Sequence, residues 1–93
     1  MRIVTVGTSK ICSLLIEAFK MANVEVFACV GRDAVKTEEF ARANNVSYNA
    51  NDYDAVLTSD IFDTVYLALP NHLHYSYAKK ALLAGKNVIC EKP

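Results

Sequence analysis

Short runs of aliphatic and β-branched residues alternate along this chain with stretches whose apolar residues recur every three or four positions, and this alternation constrains the fold most. Residues 2–6 and 64–69 lack the polar alternation of a half-exposed strand, so they read as strands covered on both faces, while residues 24–30, mixed apolar and β-branched, and residues 87–90 read as further strands. Between them, residues 10–21 carry Ile11, Leu14, Leu15, Ala18, Phe19 and Ala22 at helical spacing, which predicts one buried stripe. Asp33 is placed to cap a helix over residues 34–43, with Asn44 and Asn45 at its end. A brief strand is expected at residues 46–48, and Asn51 and Asp52 would cap a short helix near 53–58. Pro70 and Asn71 stop the fourth strand and open a helix whose buried face is expected to hold Leu73, Tyr77, Ala78, Ala81 and Leu82, ending at a left-handed Gly85. Parallel neighbours need a long connection and a helix supplies it, so the expected fold is α/β with a parallel sheet and right-handed crossovers.

Length and composition narrow the function classes. Ninety-three residues hold one core, and 53% hydrophobic against 22% charged residues is the balance of a globular domain. Ten basic against ten acidic side chains give no net charge, which argues against a nucleic-acid or anionic-membrane partner and for a small molecule. Cys12, Cys29 and Cys90 are odd in number and widely spaced, so they read as reduced thiols, with no disulfide framework or metal knuckle. The first seven residues reach a glycine turn too soon for a signal peptide, and no apolar run is long enough to span a membrane; the cytoplasm is the expected compartment. The last apolar strand would be a bare edge if the chain ended at Pro93, so the sequence is expected to be the first part of a longer product.

The candidate chemistry sits at the expected strand ends. Gly7, Thr8, Ser9, Lys10, Ile11 and Cys12 lie between a strand and a helix, where a dinucleotide-binding G-x-G-x-x-G turn would lie. Gly7 suits the tight turn. Ser9 stands at the second glycine, where its hydroxyl would donate to a phosphate, and Cys12 stands at the third. Helix N-terminal N–H groups favour an anion whatever the side chains; an ordinary strand-to-helix turn is the alternative. At the end of the second strand, Gly31 and Arg32 precede the capping Asp33. An arginine there would pair with a 2′-phosphate or stack on adenine, which puts NADP slightly ahead of NAD; a solvated surface arginine is the alternative. His72 and His74 follow the fourth strand without a partner at metal spacing, so they are expected to line a site and no metal is expected. Lys92, beside Glu91 at the last strand's end, is placed to hydrogen-bond a substrate hydroxyl.

Taken together, Ile3-Val4-Thr5-Val6-Gly7-Thr8, Val30-Gly31-Arg32-Asp33, Ala68-Leu69-Pro70-Asn71-His72-Leu73-His74, Ala84-Gly85-Lys86-Asn87-Val88 and Glu91-Lys92-Pro93 resemble the Gfo/Idh/MocA oxidoreductases over essentially the whole chain. The resemblance implies a Rossmann-like, doubly wound, three-layer α/β/α domain over residues 1–93, binding NAD or NADP. It places the nicotinamide near Leu69, Pro70, Asn71, Glu91 and Lys92. It makes Lys92 the catalytic lysine, sets Glu91 on the nicotinamide ribose and His74 near the cofactor. Ser9 and Cys12 depart from the fingerprint. A C-terminal α+β domain, which in this family supplies the substrate pocket, the second acid/base residue and most of a homo-oligomer interface, is absent from the sequence. The implied activity is oxidation of a secondary hydroxyl of a sugar or polyol by the longer protein, with this segment inactive alone. A dinucleotide sensor without hydride transfer is the competing reading.

Overall fold

In a computed structural model the chain is described over residues 1–69 and 71–90, with Asn71 described in its backbone only. Nine elements follow in order: β1 (Arg2–Val6), α1 (Lys10–Met21), β2 (Glu25–Val30), α2 (Ala34–Ala43), β3 (Tyr48–Ala50), α3 (Tyr53–Val56), β4 (Thr64–Leu67), α4 (Asn71–Leu83) and β5 (Asn87–Cys90). The strands form one sheet in the order β3-β2-β1-β4-β5, and every neighbouring pair is parallel. The chain works outward from β1 to β3, then crosses back to β4 on the other side of β1. That reversal opens a crevice at the carboxyl ends of β1 and β4, where open α/β sheets bind ligands.

Two clusters make the outer layers. On one face Cys12 and Ile16 of α1 and Ala41 of α2 bury against Cys29 of β2 and Val46. On the other, Tyr53 and Leu57 from α3 and its end, Phe62, and Ala81 of α4 cover Val4, Val6, Ala28, Val30, Val65 and Leu67. The sheet is thus sandwiched, as the unbroken apolar strands require. A register shift between Ile3 and Val4 pairs them with Val26 and Ala28, skipping Phe27. Phe27 and Ala28 consequently both serve the second cluster, as expected of an inserted bulge residue.

Several expectations need correction. The buried side of α1 is Cys12, Leu15, Ile16 and Phe19, whereas Ile11 and Leu14 are 57% and 59% exposed. Two apolar stripes one residue apart run along this helix, and the packing of Cys12 against β2 selects the second. Leu82 also lies on the solvent side of α4, 62% exposed, because Ala81 occupies the contact with the sheet. β3 begins two residues later than expected, since Val46 is used as a core plug whose N–H closes on Ala41 O (2.9 Å). β4 stops at Leu67, and α3 is a single turn capped by Asp52. Positive φ angles fall at Gly7, Asn23, Asn45 and Gly85. Among the described residues no helix is long and apolar enough to cross a membrane.

Candidate functional site

The backbone ladder continues past the strand ends and carries the site residues with it. Gly7 N–H donates to Val30 O (2.8 Å), Ala68 N–H to Val6 O (2.9 Å) and Gly31 N–H to Ala50 O (3.1 Å). Gly7 has φ +121°, and a Cβ there would come within 2.4 Å of Ala68 O. Only glycine lets the chain leave β1 against the end of β4 and turn into α1.

Ser9 caps α1: its Oγ accepts the Cys12 N–H at 3.2 Å, and its carbonyl accepts the Ser13 N–H at 3.1 Å. The serine oxygen is therefore spent first on the helix, while its O–H proton stays available to donate. The N–H groups of Lys10 and Ile11 precede the first intrahelical bond and carry the positive end of the helix dipole. Cys12, fully buried, fills the close helix-to-sheet contact that the third glycine would otherwise make.

At the end of β2, Asp33 Oδ1 accepts the Lys36 N–H (3.0 Å) and Asp33 O accepts the Thr37 hydroxyl (2.6 Å). Asp33 is committed to capping α2, as its position suggests. Beside it Gly31 sits so close to Thr37 that a Cβ would lie 2.2 Å from Thr37 Oγ1. Arg32 is exposed, and its guanidinium makes no ion pair or hydrogen bond among the described residues.

These segments surround a cavity of about 370 Å³. It is lined by the Gly7-Thr8-Ser9 turn, by Gly31, Arg32 and Asp33, by Ala68 and Leu69, and by Asn51, Tyr53 and Tyr77. Six predicted residues thus come together: Gly7, Thr8, Ser9, Gly31, Arg32 and Leu69. Lys10 and Ile11 follow on the first turn of α1 and do not line the cavity. Pro70, Glu91 and Lys92 lie outside the described residues, and Asn71 is placed only as the first residue of α4. His74, one turn into α4, has a buried Nε2 with no hydrogen-bond partner among the described residues.

Sequence reasoning missed Asn51, Tyr53 and Tyr77 as cavity residues. The two tyrosine rings lie 4.4 Å apart at 32°, and the Tyr53 hydroxyl donates to Tyr77 O at 2.7 Å. Burial first, then Tyr77, Asp54 and Cys90, push the Tyr53 phenol far above its ordinary range, so it stays a neutral donor. A dinucleotide suits this setting: a dipole end and a glycine turn for the pyrophosphate, an unpaired cation on the β2 side, and an apolar wall where a nicotinamide would lie.

Residues 1–93 match the family described as oxidoreductase, NAD-binding Rossmann fold. The chain is 36% identical over 93 residues to a scyllo-inositol 2-dehydrogenase (NADP+) of Bacillus subtilis, covering 99% of this chain and 28% of that one. An NAD-binding oxidoreductase structure from Klebsiella pneumoniae superposes with TM-score 0.94 at 26% identity, over all of this chain and 27% of that chain. A 3-ketoreductase from Actinomadura kijaniata, solved with TDP-benzene and NADP, superposes with TM-score 0.90 at 30% identity, over all of this chain and 30% of that chain. The chain thus spans little more than a quarter of the length of these relatives. On the match across its whole length and the cavity at its switch point, the chain belongs to the Gfo/Idh/MocA oxidoreductases and is their NAD-binding Rossmann domain.

Proposed function

We propose that this domain holds the cofactor of an NAD(P)-dependent dehydrogenase acting on a secondary hydroxyl of a sugar or polyol, with NADP preferred. The unpaired Arg32 on the cavity wall, beside an Asp33 already spent on a helix cap, carries the preference. The acid that would accept a ribose 2′-hydroxyl is engaged, and the free group has the charge and fork geometry for a 2′-phosphate. The NADP-dependent inositol relative supports the same direction and the substrate class.

The Gly7-Thr8-Ser9 turn and the first N–H groups of α1 receive the pyrophosphate, with the Ser9 hydroxyl donating. Leu69, Pro70 and Asn71 line the nicotinamide end, Glu91 contacts its ribose, and His74 Nε2 supplies a polar contact from the start of α4. A bound nicotinamide would supply the hydride chemistry. Lys92 orients the substrate hydroxyl and takes its proton as the carbonyl forms. Substrate enclosure and self-association belong to further chain of the kind that its longer relatives carry. The three unbridged cysteines support a cytoplasmic location.

Titration of the chain with NADPH and NADH tests the cofactor assignment. NADPH is expected to bind more tightly, and Arg32→Ala to remove about 1.5–3 kcal/mol, roughly 10- to 150-fold, from NADPH alone. Equal affinities unaffected by the substitution would overturn the NADP preference.

A further inference from the structure

Asn51 is the one side-chain amide on the cavity wall among the described residues. It follows β3 directly, and the Gly31 N–H to Ala50 O bond ties that strand end to the end of β2 at 3.1 Å. Asn51 is therefore held beside Arg32, on the side of the cavity away from Ala68 and Leu69. Its side chain is exposed and makes no hydrogen bond among the described residues. The neighbouring Asp52, by contrast, is occupied in capping α3, its Oδ1 accepting the Ala55 N–H at 3.1 Å.

An uncommitted amide offers an acceptor oxygen and two donor hydrogens in one plane. Adenine presents the matching set, an N6 amino donor beside a ring-nitrogen acceptor, and asparagine pairs with it bidentately. With the pyrophosphate at the α1 N-terminus, the adenosine half of a dinucleotide runs toward β2 and β3. Arg32 meets the ribose 2′ position and Asn51 lies one strand further out. On the dinucleotide reading given above, we infer that Asn51 reads the edge of the adenine base and makes the site selective for adenine among purine-like bases. No charge is involved, so this selectivity is separable from the Arg32 preference.

The test compares NADP⁺ with its 1,N6-etheno derivative, in which the N6 donor is removed and the edge is blocked. The wild-type chain is expected to bind the parent about tenfold more tightly. Asn51→Ala is expected to weaken parent binding by about the same factor and bring the ratio of the two affinities close to one, with the melting temperature of the free chain unchanged. A wild-type ratio near one, or a ratio that survives in Asn51→Ala, overturns the assignment while leaving the dinucleotide site standing. Failure of both nucleotides to bind overturns the site itself and the assignment with it.

Discussion

Replacing Gly7 with alanine isolates the contact on which the β1–α1 turn depends. The added Cβ would stand 2.4 Å from Ala68 O and 3.2 Å from Ala68 C, both backbone atoms at the end of β4, so no side-chain rotation relieves the clash. The backbone itself must move, from a φ of +121° that L-residues rarely adopt. A disfavoured φ/ψ costs about 1–3 kcal/mol, and displacing a packed turn adds a comparable amount, as overpacking does. The expected loss is about 2–6 kcal/mol, which at roughly 4–8 °C per kcal/mol lowers the melting temperature by at least about 8 °C. Gly85→Ala is the internal control: φ is also positive there, at +80°, but among the described residues nothing lies within 4 Å of the added carbon. It should cost only the left-handed penalty, about 1–2 kcal/mol. Urea unfolding followed by circular dichroism reads both. Equal losses in the two variants, or a Gly7→Ala loss below about 1 kcal/mol, would show that the approach of the turn to β4 does not hold the site together.

Other expectations are independent of that turn. In the full-length enzyme, Lys92→Ala should lower kcat by about 10²–10⁴-fold while leaving the cofactor Kd nearly unchanged; an unchanged kcat would refute its role. Cys12 and Cys29 are buried, and burial, against a weaker opposing bond from the Thr5 hydroxyl, pushes the Cys29 thiol up. A thiol reagent should therefore modify one cysteine in the native chain, Cys90, and all three in denaturant; fast modification of a second native thiol contradicts the packing. The Asp63 carboxyl is held below its ordinary value chiefly by the Thr64 hydroxyl, with Arg2 N–H also donating. Its folded pKa is below its unfolded one, so its contribution is present above the usual carboxylate range and is lost as pH falls through the folded value. Asp63→Asn should then flatten the acid limb of a urea-midpoint against pH curve; an identical limb would remove Asp63 from the account.

Much of the fold is legible because local signals agreed with tertiary demand. Asp33 and Asn44 bound α2 where the sequence puts them, since each side chain does a local job: Asp33 accepts the Lys36 N–H, and the Asn44 amide donates to Phe40 O. Buried strands read correctly because both faces of β1 and β4 are covered. The phase of α1 was not legible, because Ile11 and Leu14 compete with Cys12 and Ile16 for the same role and only the position of β2 decides. The Gly7–Ser9 turn and Arg32 announced themselves by their place between strand and helix. Asn51, Tyr53 and Tyr77 did not, because the strand order brings the end of β3, α3 and the middle of α4 to the same cavity; Tyr53 and Tyr77 are 24 positions apart, joined by a tilted ring contact and one hydrogen bond.

A dinucleotide is proposed to lie across the carboxyl ends of β1, β2, β3 and β4. Titrating NADP⁺ into the ¹⁵N-labelled chain and following backbone amide shifts tests it most directly. Saturable shifts are expected at Gly7 to Ile11, Gly31 to Asp33, Asn51 and Leu69, with little change at Ser59, Asp63 and Lys86 at the other end of the sheet. Shifts concentrated at that opposite end, or none at all, would contradict it.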